Sequence, residues 1–580
     1  MTSLTPLFVV PILVASLGAQ TFVRVRDGVV EQRGAPVPTS PSLTSITAAP
    51  CGAVLGARDG LPIANEPGAT VATNAFMNPA CTNRRGELAF FGSASGARNQ
   101  GIFVHSGGTV RAIVMGCGQG GGSGQHGTCG DPAPGGGTFA GFFGGTAFAP
   151  PINDDGDVLF LADIANGPAP RGLFVFQGGS QSIVKVAAVG DASPLGGVFT
   201  ALGPGCLDRD GHVVFLAAST GSAQYTADLF QWQGGPVTTF CAAGQPAPGG
   251  ATVSMLGSES FGFVDGTTVF AGPVPSVNDC GQVAFRIITT GGAVGRGIAV
   301  RTNGVDAWYL TDAMATPNGG SYFDFQAAAI NGSGQIAVFA DYMLSGVPTS
   351  GWFVGAPGSW RNALSFYDSV DGGQCLGLAF SRSPMTPLSD DGDLVVWCDL
   401  ASAGNMGRIV VCASDGSTTV LARQGQPTGV GGNFGWIDAW PSMTSAGRVV
   451  IGTGTPGAGW SSAQVVEVLC GPGIASSPCT SVGDAIEVQD FGPAGASFLA
   501  CASFTTQSVP VPGFGTLLIG PGPIATLTGV VPYPGLAGPH VLTLPLPNNP
   551  AFRGLALSFQ SLALQSTGFS LTNRATTVID

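Results

Sequence analysis

Ile152-Asn153-Asp154-Asp155-Gly156-Asp157-Val158-Leu159-Phe160 sets an amide, three carboxylates and a glycine ahead of an apolar run. The opening resembles part of a calcium loop, and Asn153, Asp155 and Asp157 are the candidate oxygen ligands. An EF-type loop needs alternating oxygens over about twelve residues and a distal Glu, and no such Glu follows. A hairpin turn is the other reading. Asn, Asp, Ser or Thr can bond the backbone two residues on, and a glycine three residues later accepts positive φ.

The pattern recurs, and the recurrence favours the turn. Its first polar residue and glycine are Asn83 and Gly86, Asn153 and Gly156, Asp208 and Gly211, Asn278 and Gly281, Asn331 and Gly334, Ser389 and Gly392, then the worn copy Thr444 and Gly447. Successive spacings are 70, 55, 70, 53, 58 and 55 residues. Between the polar and glycine positions stand residues as different as Arg84, Arg85, Cys280 and Ser333, so the copies share no ligand set. Seven copies at this period mark a repeat architecture. Most copies continue into a strand-like run ending in glycines, such as Arg171 to Gly179. A further run follows and ends in a Gly-Pro corner, such as Ser182 to Gly197. With the run preceding each turn, every copy holds four short strands, which is one propeller blade. The expected fold is an all-β, seven-bladed propeller over residues 21–470. The last copy lacks its fourth strand, and the segment Gly28 to Thr39 is expected to supply it and close the ring.

Asn83, Gly86, Ala89 and Phe90, like Asn278, Gly281, Ala284 and Phe285, resemble a family of secreted bacterial tandem repeats written Asn-x-x-Gly-x-x-Ala-Phe. The resemblance covers about residues 22–470. It implies an exported repeat protein and no particular activity. After Cys470 the repeat stops, and residues 471–580 alternate as strands, read as an antiparallel β-sandwich. Leu571-Thr572-Asn573 is similar to the ending of a C-terminal domain found on planctomycete-like exported proteins, which implies only a location.

Composition agrees with an ordered, exported β-protein. The 580 residues include 93 Gly and 43 Pro, but also 35 Phe and 8 Trp, so glycine and proline punctuate strands rather than mark disorder. Net charge is −13 and Lys185 is the sole lysine, which argues against nucleic acid as a partner. Residues 1–20, with the apolar run Leu7 to Leu17, read as a signal peptide cleaved near Gly18 to Gln20. No cysteine follows to carry a lipid, and no later stretch is long and apolar enough to span a bilayer. Thirteen cysteines suit an oxidising compartment. The expected disulfides are Cys117–Cys129, Cys398–Cys412 and Cys470–Cys479, and the odd count leaves a thiol over.

No catalytic motif emerges. Gly116 to Gly121 and Gly452 to Gly457 fit G-x-G-x-x-G without opening a helix. The histidines His105, His126, His212 and His540 form no metal-binding pair; His126 between Cys117 and Cys129 reads as part of a stapled loop rather than a zinc site. Arg171, Arg296 and Arg408 recur near the third strand of three blades, as an anion-binding ring or as stems lying over apolar strands. Tyr225, Trp352 and Trp436 are candidate ligand-stacking aromatics or core residues. No cofactor is expected beyond calcium. Ligands are expected on the face built from the corners, including Gly190 to Gly197 and Gly244 to Gly250, and the loops after the second strands, including Ser93 to Gln100, Asp163 to Pro170 and Asp341 to Ser350. The functional expectation is a non-catalytic module binding protein or polysaccharide. The alternatives are a secreted polysaccharide hydrolase or lyase with carboxylates at the axis, and a structural envelope component.

Overall fold

A computed structural model describes residues 52–58 and most of 60–579. Its gaps of six or more residues are 73–79, 118–129, 143–148, 221–226, 380–386, 401–406, 455–462 and 534–539. The segment 1–20 expected as a signal peptide, Gly28 to Thr39, Cys129, His126, Tyr225, Trp436 and Cys470 therefore lie outside the described residues.

The protein is all-β with a propeller-like arrangement. Six sheets, rather than the expected seven, are each built from one stretch of chain; in one of them the separate hairpin Phe261–Val264 and Thr267–Phe270 interrupts the strand order. The sheet holding the opening segment is typical: Thr138–Phe142, Val158–Ala165, Arg171–Gln177 and Ser182–Ala188 pair in order as an antiparallel meander. The strands of the last copy, Ser442–Met443, Val449–Gly454 and Ala463–Leu469, do not complete a sheet alone. Their outer strand is Gly52–Arg58, which pairs antiparallel with Ala463–Leu469. The edge expected for Gly28 to Thr39 is thus filled from farther along the chain. The local reason is the next corner: Gly60 donates its N–H to Val71 at 2.8 Å, as Gly190 does to Phe199 at 2.9 Å and Gly244 to Val253 at 2.8 Å.

The core lies between neighbouring sheets. Phe139, Phe160 and Phe174 of the second copy pack with Ile102 and Val104 of the first. Its other face, through Leu159, Leu173 and Val175, meets Phe199, Phe215 and Phe230 of the third. This follows from period-two alternation in strands buried on both faces, and explains why Val158–Ala165 reads as a continuous apolar run. Equivalent clusters join each sheet to the next, and one containing Val450 joins the composite sheet back to Phe90 and Phe103 of the first copy. Phe199 and Phe230 stack edge to face at 4.9 Å, a geometry that adds about 1 kcal/mol to the area buried.

From Gly473 onward the chain forms separate β-structure. Gly473–Ser476, Ala485–Phe491 and His540–Pro545 form a three-stranded sheet. Ser497–Ser503, Ala556–Gln565 and Ala575–Ile579 belong to a larger sheet that also takes Cys479–Thr480 in parallel. Ile486 and Val488 of the first sheet share a cluster with Ala502, Phe559 and Ala575 of the second. Among the described residues no helix is long and apolar enough to cross a membrane.

Candidate functional site

Each repeated turn is held by its first residue. Asn153 Oδ1 accepts the N–H groups of Asp155 at 3.1 Å and Asp157 at 2.8 Å. Asp208 and Asn278 bond in the same way to the second and fourth residues after them. Asn83, Asn331, Ser389 and Thr444 hold the fourth. Gly86, Gly156, Gly211, Gly281, Gly334, Gly392 and Gly447 all have φ between 68° and 85°, the left-handed region that favours glycine. The proposed calcium oxygens have other work. Asp157 accepts from Gly178 N–H and Asn153 Nδ2, while Asp155 is mostly exposed, 4.0 Å from Arg85. The described residues contain no cluster of three or more His, Cys, Asp or Glu able to hold a metal.

The turns also bond one another. Asn83 Nδ2 donates to the Asn153 carbonyl at 2.8 Å, Asn153 to that of Asp208 at 3.1 Å, Asn278 to that of Asn331 at 2.8 Å and Asn331 to that of Ser389 at 2.7 Å. Ser442 Oγ donates to Ala80 O at 2.7 Å, linking the last copy to the first. In several copies the residue after the turn's first position meets its counterparts at a common centre. Arg84 N–H and Nε donate to Asp154 at 2.9 and 2.5 Å, and Arg84 lies 3.4 Å from Asp279, three copies away. Asp390 accepts Gly332 N–H at 2.8 Å and stands in the field of Asp279 and Arg84. Burial works against the Arg84 charge, but Asp154 and Asp279 outweigh it and hold the guanidinium above its ordinary range. Burial pushes the Asp390 carboxyl up to about 7, with Asp279 adding to the rise, and pushes Asp279 up against the pull of Arg84. The sequence reading missed this cluster. Aligning the copies on the turn would have exposed it, because the second position reads Arg84, Asp154, Arg209, Asp279, Gly332, Asp390.

The C-terminal sheets cover this turn face. Cys280, in the fourth turn, is disulfide-bonded to Cys479. This replaces the expected Cys470–Cys479 pairing, which followed proximity along the chain rather than in space. Arg209 Nη1 donates to Cys479 O at 3.3 Å, Arg85 lies 3.6 Å from Glu487, and Arg448 sits over the Phe491 ring at 5.2 Å. Cys117 is disulfide-bonded. Cys398 and Cys412 are buried free thiols, correcting their expected bridge. On the paired strands Cys412 stands opposite Leu394 and Cys398 opposite Arg408, so the two lie at opposite ends of the ladder; the thiol in contact with Cys398 is Cys375.

The other candidates stay apart. Arg171 pairs with Asp163 at 2.8 Å, Arg296 with Asp324 at 3.4 Å and Arg408 with Asp371 at 3.5 Å, so each guanidinium already holds a carboxylate. Their heads are therefore engaged by separate carboxylates rather than gathered as an anion ring. Trp352 is buried, with Nε1 donating to Ala379 O at 3.3 Å. His105 is buried, which lowers it to about 4 with help from Arg448. His212 contacts Asp208 at 3.0 Å, and His540 lies in the C-terminal sheets.

The opposite face, formed by corners and second-strand loops, is where large apolar side chains emerge. Of the exposed large hydrophobics described in the propeller, Val198, Met314, Val347, Tyr367 and Leu376 lie in or beside corners or a second-strand loop, and only Val305 lies at the other end. Tyr367 occupies a corner site that Gly60, Gly190, Gly244 and Gly425 fill elsewhere. It donates its N–H to Cys375 O at 2.7 Å from φ 71°. A bulky residue in left-handed backbone costs about 1–2 kcal/mol, and such strain concentrates at functional positions.

Residues 118–298 match a family of unknown function (DUF7453). No curated protein matches the chain. Among solved structures, it is similar to a fungal alcohol oxidase of the AA5 family in complex with copper, at 11% identity over 92% of this chain and 100% of that one, with a TM-score of 0.34. It also resembles a bifunctional GH43-CE protein from Bacteroides eggerthii, at 12% identity over 72% and 55% of the two chains, with a TM-score of 0.20. Likenesses at this level carry no inference about chemistry.

Proposed function

We propose that the protein is an exported interaction module that binds a protein or polysaccharide ligand on its corner face, without catalysing a reaction. On this reading the composite sheet serves as the seventh blade, the chain beyond Cys470 is a β-sandwich, and residues 1–20 are a cleaved signal peptide. The observation that carries the reading is the contrast between the two faces. The turn face is covered and its charges are engaged, whereas the corner face presents Met314, Val347, Tyr367 and Leu376 to solvent, with Tyr367 held in strained backbone. Exposed apolar residues grouped on one surface mark recognition sites, and tyrosine gives rigid contact area for a glycan or a protein.

Screening the mature protein on glycan arrays and in pull-downs tests this. Tyr367→Asn is expected to reduce capture at least tenfold, while stability stays within about 1 kcal/mol because asparagine tolerates the left-handed region. Capture unaffected by Tyr367→Asn and Met314→Ala, or clean hydrolysis of the captured ligand, would count against the reading.

A second reading, a polysaccharide hydrolase or lyase, draws on the axial carboxylates. Asp390, shifted to about 7 beside Asp279, has the perturbed titration of a general acid. Arg84 in the centre and the covering sheets weigh against it. Polysaccharide turnover abolished by Asp390→Asn would establish it.

A further inference from the structure

We infer that the C-terminal sheets are a redox-latched cap, held over the axial charge cluster chiefly by the Cys280–Cys479 disulfide and freed when a dithiol reduces that bond.

The inference rests on how little apolar packing the described residues place across the boundary, and it is independent of the ligand bound on the corner face. Every apolar cluster described lies wholly within residues 63–451 or wholly within 486–575. Among the described residues none joins the propeller to the C-terminal sheets, so the non-directional force that locks domains together is small there, with the Phe491 ring beneath Arg448 as its described apolar contact. The strand Ala485–Phe491 shows why. Ile486 and Val488 face the C-terminal core, whereas Glu487, Gln489 and Phe491 lie on the alternate face, where Glu487 meets Arg85 and Phe491 meets Arg448. Gln489, 1% exposed between them, has neither amide atom hydrogen-bonded within the protein. A buried amide of this kind marks a wet, imperfectly matched interface. The ion pair is partly exposed on both sides, and contacts of that kind contribute little.

Against this weak background the disulfide closes a loop of 199 residues. Both cysteines are half-buried rather than enclosed, and exchange with a thiolate depends on such access. The chemistry balances without another reactant. One thiolate of a dithiol attacks a sulfur of the bridge and forms a mixed disulfide, and the other cysteine leaves as a thiolate and takes up a proton. The second thiol then displaces the first cysteine, leaving two protein thiols and an oxidised dithiol. The cap stays tethered through the chain that follows Leu469, so opening is intramolecular and reversible. What it uncovers is the turn face bearing Arg84, Arg85, Asp154, Arg209 and Asp279.

Hydrogen exchange on the full chain, with and without dithiothreitol and with Cys280→Ser/Cys479→Ser alongside, tests the latch. The expected result is at least a tenfold gain in amide exchange in residues 83–87 and 278–282 on reduction, matched by the double variant without reductant, while 485–491, the central strand of the cap's own sheet, keeps its protection. Exchange in Val158–Ala165 and Val213–Ser219 stays unchanged. The double variant separates this bond from the one at Cys117. Protection of both turn segments retained after loss of the bond would overturn the inference. So would simultaneous exposure of the propeller strands, since the bond would then maintain the whole fold rather than latch a cap.

Discussion

Arg84→Met is expected to destabilise the protein by about 3–5 kcal/mol at neutral pH, because it leaves carboxylates on the axis without their cation. Arg84 bonds Asp154 through backbone and side chain and lies 3.4 Å from Asp279, with its own side chain almost wholly enclosed. The loss should appear as a lower denaturation midpoint. It should shrink in Arg84→Met/Asp154→Asn, which removes one orphaned charge while keeping an oxygen for the Arg84 N–H. It should also shrink toward pH 4, where Asp279 and Asp390, both raised by burial, take up protons. A single variant within about 0.5 kcal/mol of wild type would mean that the axis is solvated.

The second large effect lies in the C-terminal sheets. Asp490 is fully buried, its Oδ1 accepts from Ser561 Oγ and its Oδ2 has no partner. Burial pushes its carboxyl up to about 7, despite the Ser561 bond. The folded form therefore binds more protons than the unfolded chain between about pH 4 and 7, and stability falls as pH rises through that window. Below the unfolded value the group costs nothing; above about 7 the full penalty is present. Asp490→Asn keeps the shape and removes the charge. It is expected to leave stability near pH 4 unchanged and to raise it at pH 8 by about 2–4 kcal/mol. Denaturant unfolding of both proteins at the two pH values measures the difference. Asp390→Asn should act in the same direction at the axis, where Asn Oδ1 still accepts Gly332 N–H.

The repeat was legible because its turn is local chemistry. A side-chain oxygen two to four residues from its donor and a glycine at positive φ leave a mark at every copy. What the turn does around the ring was not legible from one copy: that Asn83 reaches the backbone of the next turn, and that Arg84 reaches Asp279, depends on closure between segments far apart in the chain. The disulfides failed for the same reason. Cys470 and Cys479 are close in sequence, but Cys479 meets Cys280 because the C-terminal sheets lie on the turn face. The closing strand shows how several glycine-rich segments satisfy one loose pattern. Gly28 to Thr39 carries a strand and a corner signal, yet Gly52–Arg58 takes the edge, because its own corner places it in register with Ala463–Leu469. The importance of Tyr367 was hidden because its side chain breaks the corner's glycine rule, and the cost of doing so depends on a φ that the sequence alone does not give.

The composite sheet sets an order of assembly. Gly52–Arg58 leaves the ribosome early, and its sheet partner, Ala463–Leu469, emerges some four hundred residues later. Until then one flank of the first sheet has no neighbour, and its strands are open to pairing with other nascent chains. Sealing that gap is a single long-range event that no shorter fragment can perform. A chain cut before Leu469 should therefore gather into oligomers, and one rearranged so that Gly52–Arg58 follows Leu469 directly should fold faster than the natural order.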